Sequence, residues 1–449
     1  MARTDSPAAQ ALARVQQAGA DFVYLQFTDI LGSVKGVTIP TSRLERAFDE
    51  GVWFDGSSVE GWARVAESDL YLRPDPVSLA LFPWEDPPGA RFICDLGLPD
   101  GEPFAGDPRQ ALRRVLGEAE EAGFDYRIAA EFEFFLFLDQ ESVPLGLARG
   151  LEPSDTESYY SMPTERTLRL IHEVARTLEQ CGFAVAATHH EVAAGQHEID
   201  LAEHDALRAA DAIATLKIAL RAYAQREKLL VTFMPKPLAG LSGSGLHFQQ
   251  ALFDRDSGRN ALYEPEATYR LSDVGRAFVA GQLAHARGMC ALLAPLVNSY
   301  KRLTGGGEAP ALIDWARINR GALIRVPELG ADGQRMVVEL RAPDPSCNPY
   351  LALAAALKAG LEGIAGQTVL PEPVEERVLA DEAAEAEQEA DPLPQTLGEA
   401  IEELEWDPVV RAALGQSIYE RFLGAKEQEW AGYRNHISLW EIENYLQRA

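Results

Sequence analysis

Acids spaced two apart, histidines beside glutamates, and arginines next to glycine-rich loops recur along this chain. Each pairing is one that divalent metals or phosphates select. Glu131-Phe132-Glu133 opens a strongly apolar run that continues through Phe137. On a strand, a period of two puts both carboxylates on one face and Phe132 on the other. Two acids so placed repel unless a cation lies between them. His189-His190-Glu191 and Gln196-His197-Glu198 flank a predicted hairpin turn at Ala194-Gly195, which brings further carboxylates towards the first pair. The helical HExxH spacing is absent, and a carboxylate-rich set suits magnesium or manganese better than zinc.

Other clusters supply cations and mobile backbone. Gly240 to His247 is a small-residue loop running into a strand that begins near Leu246; its amides can approach an anion, and His247 can hold a metal or a phosphate. Asn298-Ser299-Tyr300-Lys301-Arg302 precedes Gly305-Gly306-Gly307-Glu308, a cationic anchor followed by a glycine hinge that carries an acid. Asn319-Arg320 with Arg325, and Glu339-Leu340-Arg341, complete the set. Glu339 and Arg341 share a strand face, which sets a metal-binding acid beside a guanidinium suited to carboxylates or phosphates. Phe54-Asp55-Gly56-Ser57-Ser58-Val59-Glu60-Gly61 is an acid-flanked turn. Singly, each cluster also reads as a surface turn, an exposed polar face or a satisfied structural histidine. No GxxxxGK[ST] phosphate loop occurs.

These residues need a scaffold, and bulk properties bound it. A chain of 449 residues exceeds one compact core, so two or more domains are expected. The net charge of −28 argues against nucleic acid and anionic membrane surfaces as partners. Cys94, Cys181, Cys290 and Cys347 form no CxxC pair, which fits reduced thiols in a cytoplasm. The N-terminus has no apolar core of the signal-peptide kind, and no apolar run is long enough to span a bilayer.

The elements follow from pattern. Residues 7–20 read as an amphipathic helix, Phe22 to Thr28 as a strand, Asp29 to Gly32 as a turn and Val34 to Ile39 as the returning strand. Short strands continue to about residue 104, giving a small, mostly β domain over 1–104. Asp107-Pro108-Arg109 starts a helix. Beyond it, helices over roughly 108–122, 164–181, 205–227 and 272–293 alternate with strands, among them a hairpin of Phe183 to Val192 and Gln196 to Leu201. This is an α+β pattern, an antiparallel sheet with helices outside, over 105–449. Residues 371–406, rich in Glu, Asp, Ala and Pro, read as a solvated excursion, and the aromatic C-terminal segment from Trp430 to Leu446 needs somewhere to bury.

In this order and spacing, FDGSSVEG, HHEVAAGQHEID, NSYKRL, GGEAP and NPYLALAA resemble bacterial type I glutamine synthetases over nearly the whole chain. The resemblance implies a β-grasp-like N-terminal domain and a large catalytic domain with a curved antiparallel sheet. It implies a cytoplasmic dodecamer of two hexameric rings with active sites between neighbouring subunits. It implies ligation of ammonium to the glutamate γ-carboxylate through γ-glutamyl phosphate, with ATP as co-substrate and two magnesium or manganese ions per site. Glu133, Glu191 and Glu198 would hold one metal, and Glu131, His247 and Glu339 the other. Gly243, Arg302, Glu308 and Arg341 would handle glutamate; Arg320 and Arg325, with Gln249, would meet the nucleotide. Asp55 from a neighbouring subunit would take a proton from ammonium, with Glu308 on a closing flap, and either Tyr159 or Tyr160 would line the ammonium pocket.

Some positions depart from the family pattern: Ser242 where Asn is usual, Gln249 and Ala251 on the His247 strand, Val337 where Arg is common, and a Thr304-Gly305-Gly306-Gly307 flap. The flap and Cys347 also resemble a subgroup that joins glutamate to polyamines or other amines, which stands as the alternative activity.

Overall fold

A computed structural model describes residues 6–58, 69–138, 152–304, 308–327, 333–374 and 390–448. The first sheet grows from simple alternation. Strand β1 (Phe22–Thr28) turns Val23, Leu25 and Phe27 into the core and pairs antiparallel with β2 (Val34–Pro40). Asp29 makes the turn between them, its Oδ1 accepting from the amides of Leu31 (3.0 Å) and Ser33 (2.8 Å). With β3 (Val52–Asp55), β4 (Asp69–Pro74), β5 (Ala80–Phe82) and β6 (Gly89–Gly97), the order is β2-β1-β6-β4-β3, with β5 on β6 and β1 parallel to β6. Helices α1 (Pro7–Gln17) and α2 (Leu44–Glu50) complete this unit.

Helix α3 (Pro108–Glu121) starts as expected, with Asp107 accepting from the Arg109 amide and proline in the first turn. The large sheet follows: β7 (Phe124–Leu138), β8 (Val185–His190), β9 (Gln196–Asp205), β10 (Leu229–Thr232), β11 (Leu246–Asp254), β12 (Trp315–Ala316), β13 (Ile324–Arg325) and β14 (Val338–Leu340). Its order is β12-β13-β14-β11-β7-β9-β8, with β10 also on β7. All pairs are antiparallel except the two-residue β12–β13 pair at one edge. The predicted hairpin is present as β8 and β9, with a shorter first strand.

Helices α4 (Glu165–Gln180), α5 (Ala206–Arg226), α6 (Asp273–Ala284), α7 (Ala286–Leu293) and α8 (Pro349–Gly366) accompany this sheet. Helix α8 is apolar nearly all round, with Leu351 to Leu357 fully buried, as a central helix should be. It crosses α6 at backbone distance: a Cβ on Gly281 would lie 2.2 Å from the Ala359 carbonyl, and one on Gly363 2.1 Å from that of Ala277. Four further helices end the described chain: α9 (Leu397–Trp406), α10 (Pro408–Leu414), α11 (Gln416–Arg434) and α12 (Leu439–Tyr445).

Two expectations need correction. The helix expected over 272–293 is two, α6 and α7, broken at His285, whose φ of −105° leaves the helical region. His285 Nδ1 lies 2.8 Å from Asp407 Oδ2, a partner too distant in sequence to foresee. The acidic stretch 371–406 is not solvated throughout. Its last ten residues form α9, which buries Leu397, Ala400, Ile401 and Leu404 at helical spacing. Residues 375–389 lie outside the described residues.

Polar side chains lock the two units together. Arg109, almost wholly buried, reaches Asp75 (2.8 Å) and Asp95 (2.6 Å) on the N-terminal side and Asp211 (2.9 Å) on α5. Asn348, which caps α8, also donates to the Asp29 carbonyl at 2.9 Å.

Candidate active site

Strand β7 is the axis of the site. Pairing with β11 sets Glu131 opposite His247, and pairing with β9 sets Glu133 opposite Glu198. On the far side of β11, Gln249 is opposite Glu339 of β14. Alternation then turns all these acids to one face. There they line two cavities of about 920 and 1050 Å³ that share Glu133, Glu191, His247, Glu308 and Arg341 as a common wall.

Glu131, His247 and Glu339 offer ligand atoms that all lie within 4.8 Å of one another. His247 Nδ1 stands 3.0 Å from Glu131 Oε2 and 3.7 Å from Glu339 Oε1. Burial, with Arg341 nearby, holds the imidazole well below its usual range, so the ring is neutral and a nitrogen lone pair is free for a metal. Arg325 lies 3.0 Å from Glu339, and Arg341 is ion-paired to the same carboxylate. Gln249 donates to Glu131 Oε1. Its amide therefore holds a carboxylate of the acidic set.

The other acids crowd together differently. Glu133 accepts from Gln196 Nε2 (2.9 Å) and from the Gly245 amide (3.0 Å). Burial, then the charge of Glu191, still pushes its carboxyl up from 4.5 to about 8. Burial, then Glu133 and Asp200, raises Glu198 further, and burial raises Glu191. Their ligand atoms do not close as tightly as the first set. His189 stands between them, with Nε2 3.0 Å from Glu198 and Nδ1 3.5 Å from Glu191. Buried carboxylates that destabilise one another's charge fit a divalent cation.

The smaller cavity is lined by Lys236, Gly240 to Gly243, Arg302 and Thr304 beyond the shared wall. Gly243 is required by space: a Cβ there would sit 2.3 Å from the Pro235 carbonyl. Arg302 is buried and donates to the carbonyls of Ala342 (2.9 Å), Pro343 (3.3 Å) and Arg341 (2.9 Å). Glu308 is exposed beside both cavities, and Gly305 to Gly307 lie outside the described residues.

The larger cavity holds Arg320 and Arg325. Arg320 Nη1 donates to the Tyr159 hydroxyl (3.3 Å) and stands 3.8 Å from Glu308. Tyr160 lines the same cavity, its hydroxyl accepting from that of Tyr159 at 3.1 Å. Burial and this contact push the Tyr159 phenol up to about 12.

Asp55 is the predicted residue that the structure does not bring in. It ends β3, exposed, with Oδ1 accepting from Ser57 N (2.9 Å) and Oγ (2.6 Å), and it lines neither cavity. Those bonds lower its pKa and keep it a carboxylate. Val59 to Gly61 of its motif lie outside the described residues.

Among the ionisable residues that line the cavities, sequence reasoning gave no role to His189, Asp200 and Lys236. Asp200 had a signal, standing two beyond Glu198 on the same strand and opposite Glu131. His189 stands in a cluster already singled out, two before Glu191, and Lys236 had no signal beyond its polarity.

A sheet that gathers buried glutamates and a neutral histidine between two open cavities defines a divalent-metal class of site. The profile described as "Glutamine synthetase, catalytic domain" matches residues 105–445, and that described as "Glutamine synthetase, beta-Grasp domain" matches residues 19–99. The chain is 45% identical over 446 residues to the glutamine synthetase of Thermus thermophilus, covering 98% of each. It is 44% identical over 440 residues to that of Halobacterium salinarum, covering 97% of this chain and 95% of the other. The solved structure titled "GmaS/ADP complex-Conformation 1" superposes with a TM-score of 0.85 at 31% identity, covering 97% of this chain and 99% of that one. The chain belongs to the glutamine synthetase family.

Proposed function

We propose that the chain ligates ammonium to the γ-carboxylate of glutamate at the expense of ATP, giving glutamine, ADP and phosphate. The observation that carries this reading is the acidic set gathered at the wall shared by two cavities and on the larger cavity's side of it. A substrate carboxylate on one side and a nucleotide phosphate on the other would meet there. The residues suit divalent metals, two per site and magnesium or manganese: Glu133, Glu191 and Glu198 for one, Glu131, His247 and Glu339 for the other. When bound, these ions neutralise charge on the transferring phosphoryl group and polarise its oxygens.

The chain's own residues do the rest on this reading. Gly243, Arg302 and Arg341 bind glutamate in the smaller cavity. Arg320 and Arg325 hold the nucleotide phosphates in the larger one and meet the charge that develops as the γ-carboxylate oxygen bonds to the γ-phosphorus and ADP leaves. Phosphate is released later, when ammonia attacks the acyl phosphate. Gln249 steadies Glu131 from the nucleotide side. Ammonium has no lone pair, so a carboxylate must take its proton before attack on the acyl phosphate. Asp55, outside its own cavities, fits that role in a neighbouring subunit's site, facing Glu308. Glu308, exposed at the rim of both cavities, then covers the acyl phosphate and keeps water from it.

The assembly would be two stacked hexamers. At the C-terminus Ile437, Leu439, Trp440 and Leu446 are 60 to 75% exposed along and around α12, an apolar surface a second ring would cover.

A coupled ADP-release assay with glutamate, ATP and manganese tests the reading. Turnover with ammonium is expected; strong turnover with a polyamine or ethanolamine and almost none with ammonium would replace it.

A further inference from the structure

The hairpin that carries Glu191 and Glu198 has a second polar cluster, which the proposed reaction does not use. Asp155, His190 and His197 are all buried, and their carboxylate and ring atoms lie within 4.8 Å of one another. Alternation along β9 puts His197 on the face opposite Glu198. Asp155 Oδ1 accepts from the Gly195 amide at 3.0 Å and faces His190 Nε2 at 2.9 Å. Its Oδ2 stands 3.5 Å from His197 Nε2. The other nitrogen of His190 meets the Glu191 carbonyl at 2.6 Å, so this ring is held from both ends. Burial alone would raise the Asp155 carboxyl, but its contacts with His190, His197 and Gly195 outweigh that and hold the group well below the usual carboxylate range. A buried carboxylate is costly unless its neighbours donate to it, and these do.

The cluster sits where separate pieces of backbone meet. Asp155 belongs to a segment docked on β7: the Ser154 amide donates to the Leu136 carbonyl at 2.9 Å, and the Leu138 amide donates to that of Glu152 at 2.9 Å. From there its side chain crosses to the hairpin turn at Gly195, to His190 just before Glu191, and to His197 just before Glu198. Gly195 has a φ of 71°, and a Cβ on it would lie 2.7 Å from the Leu136 carbonyl. The turn is therefore pressed against the strand that carries Glu133. The Asp155 segment continues to Tyr160, whose amide donates to the His190 carbonyl at 3.1 Å.

We infer that Asp155 is a positioning residue for the metal held by Glu133, Glu191 and Glu198. This rests on the metal assignment proposed above. Those three acids come from β7 and the hairpin and disfavour one another's charge, so their spacing has to be imposed by the surrounding structure. Asp155 imposes it: fixed to β7 through its own backbone, it holds the hairpin through the turn amide and His190. It lines neither cavity and acts through the hairpin. Glu131, His247 and Glu339 are set instead by the pairing of β7, β11 and β14. Asp155 therefore matters to one ion and not to the other.

Manganese binding to the intact enzyme, followed by electron paramagnetic resonance, tests this, with Glu133→Ala marking which ion belongs to its set. Asp155→Ala should weaken that ion about tenfold or more, as loss of a group that orients metal ligands does, and leave the other within about twofold. Its kcat should fall at limiting manganese and recover towards the wild-type value at saturating manganese, which a general loss of structure would not allow. Asp155→Asn keeps the shape and one acceptor oxygen and should restore part of the affinity. Light scattering establishes that each variant is assembled. Should Asp155→Ala fail to assemble, Asp155→Asn carries the comparison, with a loss of about threefold or more expected for the same ion. Equal weakening of both ions, weakening of neither, or a kcat that saturating manganese does not recover overturns the positioning role. A third ion that disappears with Asp155 also overturns it, since the residue would then be a ligand. Wild-type enzyme that binds two ions beside an unaffected variant leaves the metal assignment standing; wild-type enzyme whose manganese binding is unchanged by Glu133→Ala overturns both.

Discussion

The two acidic sets beside β7 are built from the same residue types but balanced in opposite ways. Around Glu339, two arginines already cancel charge, and Glu131 is held by His247 and Gln249. Around Glu133, burial and acidic neighbours outweigh the charges of Arg302 and Arg341, and Glu133, Glu191 and Glu198 are all pushed upward, burial being the first cause of each. The first set can fold without a metal at little electrostatic cost. The second stores repulsion that a cation releases, so there metal binding and folding are coupled.

The sharpest way to break this contrast is to remove an acid from the second set and to alter an arginine that balances the first. Glu133→Ala should lower kcat by about a thousandfold or more, because it removes a proposed metal ligand from the set whose acids are most strongly pushed toward protonation. Near-normal turnover would mean the metal is held elsewhere. Arg341→Lys should cost about a hundredfold, since a fork already bonded to Glu339 becomes a single point charge; an unchanged rate would show that the fork is dispensable.

The pH dependence of the metal-free protein reads the stored repulsion directly. Glu133 titrates near 8 in the folded chain against 4.5 unfolded, so between these values the unfolded state binds fewer protons. Stability is then highest at and below about pH 4.5 on this account and falls as pH rises towards 8. Calorimetry after chelation should show a falling Tm over that window, and added manganese should raise Tm more at pH 8 than at pH 5. A manganese shift independent of pH would contradict the contrast. The smallest effect is expected at Gln249. Gln249→Ala should weaken manganese binding severalfold by electron paramagnetic resonance, with a lesser change in the KM for ATP. The reverse order would return Gln249 to the nucleotide.

Much of this site was legible because strand geometry is simple. Glu131 and Glu133 announce a shared face by spacing alone, and the hairpin carrying Glu191 and Glu198 is marked by Gly195. The same period-two rule, carried one step past Glu198, would have found Asp200. Other features had no local signature. The break between α6 and α7 falls at a histidine whose partner, Asp407, is over a hundred residues away. The apolar spacing of α9 was hidden by averaging over an acidic stretch. Arg302 reads as a free cation in sequence, yet its donors meet carbonyls that only the folded chain brings near.

Asp55, standing exposed and apart from the cavities of its own chain, has a genetic consequence on the proposed assembly. If each site joins Asp55 of one subunit to Glu308 of the next, a chain is not the unit on which a defect acts. Asp55→Ala and Glu308→Ala would each give inactive rings alone. Co-expressed in equal amounts, they would rebuild about a quarter of the junctions with both residues intact, because each parent lends its neighbour what it lacks. Two dead alleles would then make one working enzyme, and a single dead allele would silence sites it does not itself encode.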